Sequence, residues 1–314
     1  MIADFLNRCR QVVQMQKKLR RERRLSHQIS KIIDDQGRVS DYLLREYINP
    51  YLLSVKESMH VLNAREKIVW QYWDAGLEKA PKIVKASMNS VSKNLPKGYQ
   101  HVVLSDKSIR EYVDLPEWVI QKHATNPSFR TPFFSDILRL FLLEKYGGVW
   151  VDATIFMSSK IPRSVLSSPF FVFYRGSEPP NSIIYEKFNP MYFSWRTGFK
   201  VRMCNSFIVS NKAHPFVSAL KELLLRYWSR ENEFMHYFIF QILFEELINA
   251  FPFCNVQWRH EDDLNIHKML FEVKNIYNEI DWERLCNTCF VHKLTYYNDA
   301  DAKSHYEHIK NLFC

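Results

Sequence analysis

Glycine is scarce in this chain, with seven residues in 314. None of them forms a glycine-rich loop after a strand-like run, which excludes a Walker-type or dinucleotide phosphate loop. Long apolar runs are also missing. No stretch approaches eighteen residues, so no segment reads as a membrane span. Arg8 and Arg10 interrupt any apolar core near the start, which removes the pattern of a secretion signal. The six cysteines, Cys9, Cys204, Cys254, Cys286, Cys289 and Cys314, are scattered. Without a disulfide framework they suit a reducing compartment. The pair Cys286-x-x-Cys289 has no second pair and no histidine set at zinc spacing.

What is present points to a globular cytosolic protein. A hydrophobic content of 46% over 314 residues can bury a sizeable core in one large domain, or one domain plus an appendage. The formal charge of +9 is unevenly placed. Residues 1 to 25 carry Arg8, Arg10, Lys17, Lys18, Arg20, Arg21, Arg23 and Arg24 against Asp4 and Glu22. Ile2, Phe5, Leu6, Cys9, Val12 and Val13 recur there at helical spacing, which predicts a basic amphipathic helix. Two uses fit it equally: lying on an anionic membrane surface, or packing its stripe on the rest of the chain. Nucleic-acid binding ranks behind both, because the basic run lacks interleaved aromatics and no known binding module follows.

Residues 1–64 read as a helical region and residues 65–314 as the main domain. Helices are expected over Ser26 to Asp34 and Ser40 to Tyr47, with Asn49-Pro50 breaking the second. The run from Lys67 to Trp73 is rich in β-formers, Pro81 to Leu95 reads as a helix, and Tyr99 to Ser105 as a second strand. Strand, helix and strand with short turns imply a right-handed parallel crossover. Further on, Pro169 to Gly176 and Cys204 to Ser210 read as strands. Glu178 to Trp195 reads as an irregular aromatic loop, and His214 to Trp228 and Phe234 to Ala250 as helices.

Ser135 to Thr154, SDILRLFLLEKYGGVWVDAT, concentrates the chemistry. Ser135 is an N-cap type and the following run is apolar at helical spacing until Gly147-Gly148 stops it. Asp136 and Arg139 are three apart and share an edge. Val149 to Val151 reads as a short buried strand whose period of two puts Asp152 and Thr154 on one face. A surface ion pair and a loop-opening carboxylate are the plain account of these groups. The functional account is that ligands sit at the carboxyl ends of strands in α/β sheets.

SD-x-x-R, a leucine-rich helix, GG and a strand ending in Asp152-Ala-Thr154 resemble the GT-A glycosyltransferases with a DxD sugar-binding region. The capsular polysaccharide synthesis branch is the most similar, since it carries GGVWVDAT in nearly this wording. Yeast mannosyltransferases of the same family, family 32-like, and the large glucosylating toxins are more distant. The likeness runs from about Ile68 to Thr295. It implies an α/β fold, a GT-A Rossmann-like mixed sheet flanked by helices, here with an N-terminal helical extension.

The resemblance also implies an activity and a set of roles. The enzyme would be a hexosyltransferase, moving a sugar with retention from a nucleotide sugar, UDP-linked, to a saccharide acceptor on a lipid carrier. It would be cytoplasmic and peripheral at the inner face of the plasma membrane. Trp73 stands where the family places the aromatic that stacks on the base, with core packing as the competing account; such stacking contributes about 1–3 kcal/mol. Asp136 and Arg139 would bind the donor sugar and phosphate. Asp152 and Thr154 occupy the DxD positions, where Asp152 would bind the ribose hydroxyls or a Mn²⁺ or Mg²⁺ ion that neutralises the departing diphosphate. Thr154, in place of the second carboxylate, is a weak neutral ligand. Phe290 to Thr295 resembles the HKLT segment of the branch, so His292 is the expected late metal ligand and Lys293 a phosphate contact. Asn205 and His236 are the acceptor-side candidates; His236 stands where the branch has an acidic residue. A GT-A-fold protein that has lost catalysis and serves as a scaffold is the alternative, motivated by Thr154.

Overall fold

The structure, a computed structural model, describes residues 2–55, 59, 61–296 and 300–312, with side chains from residue 13 on. The first element is one helix, α1 (Ile2–Leu43), where a basic helix and two further helices are expected. It does not stop at Asn49-Pro50. Leu44–Ile48 widen into a π-helical turn, and Pro50 then falls in the first turn of α2 (Asn49–Leu52), where a missing N–H is tolerated. The apolar positions Ile2, Phe5, Leu6, Cys9 and Val12 lie outside the described side chains. Residues 13–21 are exposed, and burial begins at Leu25.

From β1 (Ile68–Tyr72) the chain runs through α3 (Lys82–Lys93) to β2 (Gln100–Leu104), which pairs parallel to β1, the crossover expected from the sequence. α4 (Glu117–Thr125) leads to α5 (Thr131–Tyr146). α5 begins a turn earlier than Ser135, because Pro132 near the N-terminus sets the helical φ. Asp136 and Arg139 consequently sit one turn inside the helix. Gly147 and Gly148 then turn the chain at φ 65° and 96° into β3 (Gly148–Val151). A Cβ on Gly148 would lie 2.5 Å from the Ile68 carbonyl oxygen, so only glycine lets β3 start against β1.

The remaining strands are β4 (Ile155–Met157), β5 (Phe170–Tyr174), β6 (Met203–Ser210), β7 (Arg259–Asp262) and β8 (Val291–Lys293). Six of the eight described strands form a mixed sheet in the order β2-β1-β3-β6-β5-β7, and β4 pairs with β8 in a separate two-stranded ribbon. The β3–β6 and β5–β6 pairs are antiparallel. The connecting helices are α6 (Arg163–Leu166), α7 (Ser182–Phe188), α8 (Pro215–Arg230), α9 (Ile239–Asn249), α10 (Asp263–Glu272), α11 (Glu279–Cys286) and α12 (His305–Leu312). The stretch read as an irregular loop thus contains α7, and α9 starts three residues after His236.

The period of two divides each strand between two cores. Trp70, Trp150, Val172 and Ile208 join α5, α8 and α9 on one face, while Val69, Val149, Phe171 and Val209 join α3, α10 and the ribbon on the other. This mixed α/β sheet flanked by helices is the predicted class. Its strand ends leave a groove between the two helical layers.

Candidate active site

The groove is a cavity of about 670 Å³ bordered by the turns after β1 and β3, the start of β6, and the residues following β8. Trp73, Asp136, Arg139, Asp152, Thr154, Asn205 and Lys293 all line it. Five segments distant in the chain bring them there, and each arrives at a strand end or on the helix face over the sheet.

At the centre Arg139, whose side chain is 3% exposed, bridges two carboxylates. Its Nη1 lies 2.7 Å from Asp136 Oδ1 and its Nη2 lies 3.2 Å from Asp152 Oδ1. The guanidinium also donates to the Asn205 carbonyl at 3.1 Å and to Ser135 Oγ at 3.1 Å, and lies 5.0 Å from the Trp150 ring centre. Asn205 Nδ2 donates to Asp136 Oδ1 at 2.9 Å. Trp150 Nε1 donates to Asp152 Oδ1 at 2.8 Å, and Lys293 Nζ donates to Asp152 Oδ2 at 2.9 Å.

The two carboxylates titrate in opposite directions. Burial pushes Asp136 up to about 7, which the shared Arg139 charge only partly offsets and the neighbouring Asp152 charge reinforces. Burial acts on Asp152 as well, but Lys293 and Arg139 together outweigh it and hold that carboxyl far below its ordinary value. Lys293 and a share of Arg139 thus serve Asp152, whereas Asp136 has only the other share of Arg139. At neutral pH the cluster carries a partial positive excess.

His292 does not reach this centre. In the β4–β8 ribbon it pairs with Phe156, one step off Lys293, so its side chain points to the opposite face. There it is fully buried, with Nε2 2.9 Å from Ser158 Oγ, and burial pushes its pKa down to about 3. The expected metal pair of Asp152 and His292 is therefore split across the ribbon. Both Asp152 oxygens are engaged by cations and an indole, and among the described residues no group of three or more His, Cys, Asp or Glu is placed to hold a metal ion. At the expected metal position Asp152 is the carboxylate present, and it is paired with Arg139 and Lys293. His236 also departs from its expected place: it is buried before α9, with Nδ1 accepting from the Phe238 backbone N–H at 3.0 Å, while its neighbour Tyr237 lines the groove.

The sequence reading missed Trp150, Asp74, Tyr192, His267 and Tyr296, all of which line the groove. Trp150 was readable from the same alternation that places Asp152, two residues on. Tyr296 stands edge-on to Trp73 with ring centres 5.9 Å apart. Tyr192 and His267 belong to a loop and a helix with no motif around them.

An α/β sheet with a charged groove at its strand ends is a ligand-binding architecture. Residues 22–311 match the family model described as capsular polysaccharide synthesis protein, and the chain belongs to that family. It is 27% identical over 171 residues to the O-glycosyltransferase braB of Annulohypoxylon truncatum, over 52% of this chain and 38% of that protein. The chain thus spans well under two thirds of that relative's length. Among solved structures it is similar to the PaToxG glycosyltransferase, with 14% identity and a TM-score of 0.36 over 73% of this chain and 80% of that one.

Proposed function

We propose that the chain is a glycosyltransferase of the GT-A kind, with residues 65–314 as the transferase domain. It takes a UDP-linked sugar and passes it, with retention, to a lipid-linked saccharide in capsular or other surface polysaccharide synthesis. The observation that carries this reading is the order of groups along the strand ends. Trp73 follows β1, Asp152 with Arg139 and Lys293 follows β3, and Asn205 opens β6. An aromatic plate, a cationic centre and polar amides match a base, a diphosphate and a sugar in sequence. Lys293 has three N–H donors and spends one on Asp152, which leaves two for phosphate oxygens. Family membership supports the same reading, as does the glycosyltransferase name of the relative that the chain matches in part.

The N-terminal helix supplies the membrane component of the proposal. Before Leu25 it carries Lys17, Lys18, Arg20, Arg21, Arg23 and Arg24 with Val13, Met15 and Leu19 exposed. A basic helix that keeps apolar side chains in water suits an anionic cytoplasmic leaflet. No described helix is long and apolar enough to cross a membrane.

The deciding experiment measures thermal stability with UDP, GDP and their sugars, then sugar transfer with the ligands that bind. A ligand selective for the native state raises the midpoint. No shift with any nucleotide sugar would overturn the proposal.

A further inference from the structure

The far end of the groove, away from Trp73, holds two polar groups that the charged centre does not use. His267 on α10 is 6% exposed and lines the groove, with its ring against Tyr192 and Phe193 at 5.1 and 5.2 Å between centres. Its Nδ1 lies 2.7 Å from the Asp263 backbone carbonyl. A carbonyl only accepts, so Nδ1 carries the proton and Nε2 presents a lone pair. Burial pushes the ring down to about 4, which keeps it neutral at physiological pH. Tyr192, also lining the groove, has its hydroxyl buried with no oxygen or nitrogen partner and only the Cys204 thiol, a weak one, beside it. A buried hydroxyl met only by a thiol leaves hydrogen-bonding capacity open to a ligand.

Both groups are held in place from behind. Arg175, 2% exposed, donates from Nε and Nη2 to the two Asp263 carboxylate oxygens at 2.7 and 2.8 Å. The same guanidinium donates to the Tyr192 and Ser194 carbonyls at 3.0 and 3.2 Å. One buried cation therefore fixes the start of α10 and the 192–194 turn together, which makes the pair a preorganised element.

We propose that Tyr192 and His267 form a hydroxyl-reading subsite for the sugar ring of the nucleotide sugar: His267 Nε2 accepts from a ring hydroxyl and the Tyr192 hydroxyl donates to one. This rests on the glycosyltransferase reading above. The sheet order supports the position. Arg175 follows β5, three strand places from β1, and neighbouring strands are about 4.8 Å apart, so the subsite lies roughly 14 Å from the base platform along the strand ends. The cationic centre falls between the two. A donor and an acceptor that are both uncharged select a neutral polyol over a carboxylate, which the Nε2 lone pair would repel.

The test is calorimetric binding of UDP, GDP, UDP-glucose, UDP-galactose, UDP-N-acetylglucosamine and GDP-mannose to the full chain and to Tyr192→Phe and His267→Ala. Tyr192→Phe deletes only an oxygen whose one neighbour is a weakly bonding thiol, so its fold is secure. The expected result is that the tightest nucleotide sugar of the wild type binds each variant about tenfold more weakly, the loss of roughly one hydrogen bond, while the free diphosphate binds unchanged. Equal affinity of all three proteins for that nucleotide sugar would overturn the subsite and leave the transferase reading standing. Parallel loss of diphosphate and nucleotide sugar would also overturn it, assigning the pair to the shape of the groove. A wild type that binds neither diphosphates nor nucleotide sugars would overturn the transferase reading, and the subsite with it.

Discussion

Lys293 and Asp152 are separated by 141 positions in the chain, yet Lys293 Nζ sits 2.9 Å from Asp152 Oδ2. The contact follows from register. Ile155 pairs with Lys293 across the ribbon, and the tight turn between Asp152 and Ile155, closed by the Ile155 N–H on the Asp152 carbonyl at 2.9 Å, returns the carboxylate to the ammonium. A lysine thus stands on the carboxylate where the resemblance places a cation.

Replacing that lysine tests its role. Lys293→Met should lower turnover on the order of 10²–10³-fold, the scale for removing one group that stabilises developing charge. The fold should survive, because Arg139 and Trp150 still engage Asp152. A chelator should leave wild-type turnover unchanged, since the carboxylates are already paired. Steady-state kinetics with and without EDTA check both; activity lost in EDTA and restored by Mn²⁺ would contradict the pairing argument.

Arg139 serves both carboxylates through different nitrogens, which a point charge cannot do. Arg139→Lys should lose one charge-assisted contact and cut kcat/KM about tenfold to a hundredfold. Arg139→Ala leaves Asp136 buried beside Asp152 and should cost about 3–5 kcal/mol of stability. Denaturant unfolding of the two variants separates these effects.

The raised Asp136 carboxyl gives a pH signature. Its folded pKa of about 7 lies above the ordinary 3.8, so between those values the folded state holds a proton that the unfolded chain has released. Stability therefore falls as pH rises from about 4 to 7. Asp136→Asn should flatten that slope, read as midpoint temperature against pH. Identical profiles would mean that the carboxyl is ionised throughout.

Much of the groove was legible because its chemistry is tied to local rules. Spacing of three placed Asp136 near Arg139, alternation placed Asp152 at a strand end, and paired glycines marked the turn that β3 needs. His292 was misplaced because its face depends on the β4–β8 register, and three-residue strands leave too little periodicity to read it. His267 and Tyr192 were missed for a different reason. What makes them polar centres is the Arg175–Asp263 pair, 88 positions apart, and no local pattern encodes it. The uninterrupted first helix was hidden by the polar stretch between Asp34 and Ser40, Gly37 included, where tertiary contacts such as Gln36 Oε1 on the Lys200 N–H outweigh weak local propensity.

Gly148 links fold and site. At φ 96° with the Ile68 carbonyl oxygen 2.5 Å from a built Cβ, Gly148→Ala combines strain with a clash against backbone. A loss of about 2 kcal/mol or more is expected, accompanied by weaker nucleotide-sugar binding as β3 and Asp152 shift. Calorimetric unfolding alongside ligand binding checks it; a neutral substitution would show that the β1–β3 edge relaxes freely.

The first helix separates membrane docking from donor chemistry. Its side chains pack from Leu25 onward, with Arg196 Nη1 on Ser26 Oγ at 2.9 Å and Gln36 Oε1 accepting from the Lys200 N–H at 2.8 Å. Removing residues 1–24 leaves those contacts intact and deletes eight basic residues. Each basic residue near an anionic leaflet contributes about 1 kcal/mol of attraction. The truncated chain should therefore leave anionic liposomes, and the full chain should leave them at 1 M salt, where the Debye length is about 3 Å. Binding of UDP-sugars should not change, because Trp73 and the cationic centre lie in the later part of the chain. Transfer to a lipid-linked acceptor should slow while transfer to a soluble one persists. Co-sedimentation with vesicles of anionic and neutral lipid decides the matter: equal binding of both proteins to both vesicles would make the exposed helix an element for another partner, and the membrane reading would fall.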